Sequence, residues 1–178
     1  MAEQDASMTG HTTLFLGGAR SGKSRLAQAA AEALPGSLTY LATAEAGDDE
    51  MADRIARHRA DRGERWRTVE CPIDLPRAIG DAIGDADGVV LVDCLTLWLS
   101  NLMLGGHDIE AAGAALIAAM ADARGPLLLV SNEVGLGLVP ETPLGRAFRD
   151  AAGRLNQAVA AAATRVVFVA AGLPLTLK

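Results

Sequence analysis

Aromatic residues make up only 3% of this 178-residue chain, so alanine, leucine and valine must fill its core. Cysteine occurs twice, at Cys71 and Cys94. That is too few for a disulfide framework, and with no secretory signature it suggests a reducing, cytoplasmic setting. Residues 1–11 carry neither a basic n-region nor an apolar h-region and read as a flexible tail. No apolar run is long and unbroken enough for a membrane span. The most apolar stretch, 88–104, is interrupted by Asp93, Ser100 and Asn101. Lysine is scarce, with Lys23 and Lys178 set against fourteen arginines. The net charge of −6 and pI of about 5.0 argue against general nucleic-acid binding. There is no internal repeat and no linker. What is abundant is apolar surface. Half the residues are hydrophobic and 21% are charged, which excludes a disordered chain and predicts one domain over 12–178.

Strand and helix signals alternate along that domain. Short apolar runs at 12–16, 38–43, 89–92, 127–130 and 166–170 read as strands, with a further short one at 66–70 and an edge strand at 175–177. Helices are predicted over 24–34, from 48–50 to Gly63, and over 75–83, 95–103, 109–124 and 144–163. This order implies βαβ crossovers: an α/β fold with a mainly parallel sheet and helices on both faces. The unbroken runs Val89-Val90-Leu91-Val92 and Leu127-Leu128-Leu129-Val130 suit strands covered on both sides. Ligands of such sheets bind beyond the carboxyl ends of the strands. The polar residues expected there are Ser21, Lys23, Thr43, Glu45, Asp93, Asn132 and Glu133.

Gly17-Gly18-Ala19-Arg20-Ser21-Gly22-Lys23-Ser24 matches G-x-x-x-x-G-K-[ST] between a strand and a helix. Glycines let the backbone wrap a triphosphate with its amides facing inward, and the helix start adds its positive dipole end. Lys23 would reach the β and γ phosphates and Ser24 would hold Mg²⁺. This makes the sheet a P-loop, RecA-like one. Asp93, ending the strand at 88–92, has the Walker B position and would serve the same metal. The alternative is a helix N-cap for the segment that follows, with Thr96 nearby. Asp93 leads Cys94-Leu95-Thr96 rather than Asp-x-x-Gly, and no Asn-Lys-x-Asp motif occurs, which argues against a Ras-like switch. Gly105-Gly106 and 134–143 read as mobile loops over the site.

His58 lies on the helix predicted before Gly63, sharing a face with Met51, Ile55 and Arg62. Arg54, Arg57, Arg59, Arg62, Arg65 and Arg67 surround it in sequence. Two readings are open. One is a solvated face with an ordinary histidine. The other is a second polyphosphate subsite, where imidazole acts as base or nucleophile and arginines steady the transferred group.

Beyond the phosphate loop, the chain carries Asp48-Asp49-Glu50-Met51, Arg54-Ile55-x-x-His58-Arg59-x-x-Arg62 and Trp66-x-Thr68-x-Glu70. It also carries Asp93-Cys94-Leu95-Thr96, Ser131-Asn132-Glu133-Val134-Gly135, Val139-Pro140-Glu141 and Phe148-Arg149-Asp150. Gly153-Arg154-x-Asn156-Gln157 and Gly172-Leu173-Pro174-Leu175 complete the set. In these segments, over 14–178, it resembles the bifunctional adenosylcobinamide kinase/adenosylcobinamide-phosphate guanylyltransferases of cobalamin biosynthesis. Gly63, where that family usually has proline, and Cys71, where a second acid is common, depart from the pattern.

The resemblance implies two reactions. A nucleoside triphosphate, ATP or GTP, phosphorylates the aminopropanol hydroxyl of adenosylcobinamide. GTP then guanylylates a histidine, by motif His58, and adenosylcobinamide phosphate takes up the GMP. Neutral imidazole is a competent nucleophile near pH 7. The resemblance further implies nucleotide contacts at Thr43, Ala44, Glu45, Arg59, Ala60, Asp61, Arg62, Glu70 and Asp93, and a homotrimer. A simple small-molecule kinase and a regulatory P-loop protein are the competing readings.

Overall fold

The computed structural model describes residues 12–44, 63, 65–83 and 88–178. The predicted helix carrying His58 lies outside them. Within them the strands are β1 (Thr12–Gly17), β2 (Ser37–Ala42), β3 (Trp66–Glu70), β4 (Gly88–Asp93), β5 (Leu127–Asn132), β6 (Arg165–Ala170) and β7 (Leu173–Thr176). The helices are α1 (Lys23–Glu32), α2 (Leu75–Ile83), α3 (Leu95–Leu104), α4 (Ile109–Asp122) and α5 (Pro143–Ala162). All seven strands form one sheet in the order β3-β2-β4-β5-β1-β6-β7, parallel throughout except for the antiparallel β6–β7 edge. The mainly parallel α/β sheet expected from the alternation is therefore present. The last strand begins two residues earlier than the sequence pattern suggests, because the Ala171-Gly172 turn, with both φ angles positive, lets Leu173 pair with Ala170.

Alternation along the strands sorts the core into two layers. Leu14, Leu41, Val90, Val92, Leu127, Leu129 and Val166 face α2, α3, α4 and α5. Phe15, Leu38, Val89, Leu91, Leu128, Val130, Val167 and Val169 face Ala27 and Ala31 of α1. Helices thus cover both faces, four on one and α1 on the other among the described residues. Alanines on α1 keep the helix close to the sheet, so a chain poor in aromatics still packs tightly. Trp98 is the exception in size. It is buried, and its Nε1 donates to Ile73 O at 2.7 Å.

Local chemistry sets the element ends. Asp108 caps α4 by accepting from Ala111 N–H at 2.9 Å, and Thr142 caps α5 by accepting from Gly145 N–H at 3.1 Å, with Pro143 following. The carboxyl end of α1 is closed from a distance: the Arg65 guanidinium donates to Glu32 O, Leu34 O and Gly36 O at 3.1, 2.7 and 2.9 Å.

Leu129 lies on the middle strand of the site region and is completely buried. Leu129→Ala should cost about 2–5 kcal/mol through lost burial and a residual cavity. Chemical denaturation should show the midpoint falling with an unchanged slope.

Candidate functional site

The carboxyl ends of β1, β5, β4, β2 and β3 all open on one edge of the sheet. Register fixes their relative heights. Glu70 pairs with Ala42, Ala42 with Asp93, Asp93 with Val130 and Val130 with Phe15, forming one row across five strands. β1 and β5 continue two residues past that row to the Gly17–Asn132 pair. Asp93 is therefore set back from the phosphate loop by a step of about 6–7 Å along the strands, and separated from it by the width of β5.

The phosphate loop follows β1, as the sequence predicts. Gly17 has no room for a side chain: a Cβ there would collide with Val169 O and come within 2.8 Å of Ser21 Oγ. Arg20 and Gly22 turn the chain with φ of 57° and 95°. Gly22 is the N-cap of α1, and neither a side-chain cap bond at that residue nor an acidic residue in the first turn blunts the helix dipole. Lys23 is buried, and its Nζ donates back to Gly18 O at 3.0 Å, arching over the loop. An ammonium held at a helix start makes a strongly positive concavity. Ala19 and Arg20 are on the exposed crest of the loop, Ser24 is partly exposed on the first turn of α1, and Ser21 is buried.

The loop is braced from both sides by contacts the sequence did not reveal. Gly172 N–H donates to Ser21 O at 2.8 Å, so the β6–β7 turn supports the loop from one flank. Glu133 N–H donates to Gly17 O at 3.0 Å on the other. The 134–143 segment that follows reads from the sequence as a mobile loop. Its ends are tied by Gly135 N–H to Glu133 Oε1 and by the Arg146 guanidinium to Pro140 O and Glu141 O. Leu136 and Leu138 between them are 82% and 95% exposed.

Asp93 ends β4 half-buried, and Cys94, not Asp93, occupies the N-cap position of α3. The cap alternative for Asp93 is thereby corrected. Thr96 does not serve as a cap either, since its Oγ1 accepts from Asn132 N–H at 2.7 Å. Thr43 is placed beneath the site rather than on its surface. It is wholly buried, with Oγ1 accepting from Cys94 N–H at 2.8 Å and donating to Cys94 O at 2.7 Å. Its carbonyl accepts from Asn101, whose amide also donates to Pro72 O. Thr43 thus supports the Cys94 turn from below, and Ala44 is the partly exposed member of the pair. Glu70 is exposed at the end of the edge strand. A cavity of about 490 Å³ beside it, between β3 and α2, is lined by Arg67, Asp74 and Arg77 among others, and lies across the sheet from the phosphate loop.

Glu45, His58, Arg59, Ala60, Asp61 and Arg62 lie outside the described residues. Of the six arginines around His58 in sequence, Arg65 is engaged in closing α1 and is not a ligand candidate. The thiols are not nucleophile candidates. Burial, then the Asp74 carboxylate, pushes Cys71 up to about 11. Burial, then Asp93, also raises Cys94, so both stay protonated at neutral pH. Among the described residues no helix is long and apolar enough to cross a membrane.

Known proteins give the arrangement its context. The sequence profile of the family described as cobinamide kinase / cobinamide phosphate guanyltransferase matches residues 13–177. The bifunctional adenosylcobalamin biosynthesis protein CobP of Pseudomonas aeruginosa is 48% identical, over 93% of this chain and 96% of that protein. The bifunctional adenosylcobalamin biosynthesis protein CobU is 44% identical in Escherichia coli K12 and 42% in Salmonella typhimurium. Each match covers 93% of this chain and 98% of the relative. In three dimensions the P4 protein from bacteriophage phi13 superposes with a TM-score of 0.51 at 18% identity, over 93% of this chain and 53% of the other, a likeness of fold. On the span and identity of these matches, the chain belongs to the cobinamide kinase / cobinamide phosphate guanyltransferase family.

Proposed function

We propose that residues 12–178 form a single domain that carries out both family reactions, in the sense the sequence predicts. In the first, ATP or GTP phosphorylates the aminopropanol hydroxyl of adenosylcobinamide. In the second, GMP passes from GTP to adenosylcobinamide phosphate through a guanylylated His58. The observation that carries the reading is the phosphate loop. A helix start with a glycine N-cap, backbone turns with positive φ, and a buried lysine face the carboxyl edge of the sheet, where a polyphosphate is the matching ligand.

In this reading the amides of Gly17 to Ser24 cradle the phosphates and Lys23 offsets charge on the transferred group. Thr43 holds the Cys94 turn beneath the site, while Ala44, Glu45, Arg59, Ala60, Asp61, Arg62 and Glu70 contact nucleotide. Ser24 and Asp93 offer a hydroxyl and a carboxylate, hard oxygen donors that suit Mg²⁺. Among the described residues no three His, Cys, Asp or Glu cluster to hold a metal unaided, which fits a cation bound jointly with substrate phosphates. When bound there, Mg²⁺ would neutralise charge on the phosphate oxygens. His58, as neutral imidazole, would attack the α-phosphorus of GTP, forming the N–P bond as the bond to pyrophosphate breaks. Adenosylcobinamide phosphate then displaces the imidazole. The assembly proposed is a cytoplasmic homotrimer, for which two unlinked, buried thiols suit a reducing compartment.

Lys23→Ala should lower the kinase kcat by a factor on the order of 100 or more, about 3 kcal/mol of lost transition-state stabilisation. A steady-state assay with adenosylcobinamide checks this, and undiminished turnover by the folded variant refutes the assignment.

Asp93→Asn keeps the shape and removes the charge. The Mg²⁺ concentration for half-maximal turnover should rise, with partial recovery in excess metal. Coincident metal titrations for variant and parent would exclude Asp93 from metal binding.

GTP labelled at the α-phosphate should leave acid-labile, alkali-stable label on the denatured protein, as expected of a phosphoramidate, whereas γ-label should not remain. Adenosylcobinamide phosphate should discharge the label into product. His58→Asn should retain none while still phosphorylating adenosylcobinamide. Full labelling of His58→Asn places the nucleophile elsewhere. Product formation without any labelled parent protein indicates direct transfer.

A further inference from the structure

Three of the sequence segments singled out above meet in a buried polar cluster that the reactions themselves leave unexplained. Thr96 comes from the start of α3, Ser131 and Asn132 from the tip of β5, and Asn156 from the buried face of α5. Thr96, Ser131 and Asn156 are 8%, 2% and 6% exposed. Ser131 Oγ donates to Asn156 Oδ1 at 2.7 Å, and Asn156 Nδ2 donates to Asn132 O at 3.1 Å. Asn132 N–H donates to Thr96 Oγ1 at 2.7 Å. The Thr96 and Ser131 hydroxyls are 3.4 Å apart. Ser131 has one proton and spends it on Asn156, so Thr96 is the donor in that contact. The three shorter bonds run in sequence from Ser131 through Asn156 and Asn132 to Thr96, and the longer Thr96–Ser131 contact closes them into a ring.

The ring lies where the sheet parts. β4 follows β5 only as far as the Asp93–Val130 pair, while β5 stays with β1 to Asn132–Gly17. Beyond that fork no ladder hydrogen bond sets the separation of β4 from β5, and the N–H of Asn132 is satisfied by the Thr96 hydroxyl instead. Thr96 is three residues from Asp93, and Asn132 pairs with the first residue of the phosphate loop. We propose that Thr96 and Asn156 are positioning residues whose hydrogen-bond ring sets the gap between Asp93 and the phosphate loop. The Thr96, Ser131 and Asn156 side chains that form it are buried beneath the edge. The ring acts by fixing two groups that must meet one phosphoryl group, so its loss is felt in the chemical step more than in nucleotide binding. This inference rests on the proposal that phosphoryl transfer takes place at the phosphate loop.

Thr96→Val keeps the shape and removes the hydroxyl, whereas Thr96→Ser keeps the hydroxyl. In the kinase reaction Thr96→Val should lose kcat by roughly 10- to 100-fold while the nucleotide KM stays within about threefold. Calorimetric affinity for a non-hydrolysable nucleoside triphosphate should be similarly little changed. Thr96→Ser should recover most of the kcat. Asn156→Asp keeps the acceptor for Ser131 and replaces the donor to Asn132 O. It should show the same split, and the double variant with Thr96→Val should be no slower than the slower single, because one ring is broken once. Parental kcat in folded Thr96→Val overturns the proposal. So does a serine variant as slow as the valine one, a loss confined to KM, or multiplying losses in the double variant. Should Thr96→Val not fold, the kcat and KM of Asn156→Asp decide by the same criteria. Lys23→Ala, assayed in parallel, separates the two readings. If it remains active the loop assignment has failed. If it is inactive while Thr96→Val and Asn156→Asp keep parental kcat, only the ring has failed.

Discussion

β5 lies hydrogen-bonded to β1 on one side and to β4 on the other, with all three strands parallel and buried on both faces. A parallel strand in that position cannot slip by one residue without exchanging the side chains that fit its two core layers, so both packings would be lost together. The heights of Gly17, Asp93 and Asn132 at the carboxyl edge are consequently set by the packing of the apolar run Leu127 to Val130. The phosphate loop, the Asp93 turn and the 133–142 segment all hang from that one registered unit.

Support for the site comes as much from beneath as from its rim. Thr43 binds both polar backbone groups of Cys94, Asn101 holds Thr43 O and Pro72 O, and Trp98 holds Ile73 O. α3 carries Asn101, Trp98 and Thr96, so one helix ties together the ends of β2, β3, β4 and β5. Buried polar groups with their bonds completed in this way favour one arrangement over near alternatives. The chain has few aromatics with which to wedge loops in place, and uses amide and hydroxyl side chains for that purpose.

The two departures from the family pattern have different standing. Cys71, where the resemblance leads one to expect an acid, is a buried, protonated thiol in the core layer that also holds Leu75 and Trp98. A carboxylate there would carry a desolvation penalty that the thiol avoids. Gly63 is exposed, two residues before the arginine that closes α1. The hydrogen bonds of Arg65 to three carbonyls give the chain from Arg65 a fixed entry into β3 without help from a proline.

The sequence alone determined the strand and helix alternation, the parallel sheet and the phosphate loop, because each rests on local spacing. Apolar runs covered on both faces, a glycine-lysine-serine turn and helical periodicity are written within a few residues of one another. Asp93 was legible for the same reason, as an acid at the end of an apolar run. Strand order, the two-residue step between Gly17 and Asp93, the withdrawal of Thr43 into the interior and the use of Arg65 as a helix closure were not. Neither were the partners of Asn156, nor those of Asn101, which read as a polar interruption of an apolar stretch. A side-chain amide has the same composition whether it faces water or a carbonyl 24 or 58 residues away. Only the tertiary packing of α3 and α5 against the strand ends decides which, since a hydrogen bond depends on distance and direction and these are absent from local sequence.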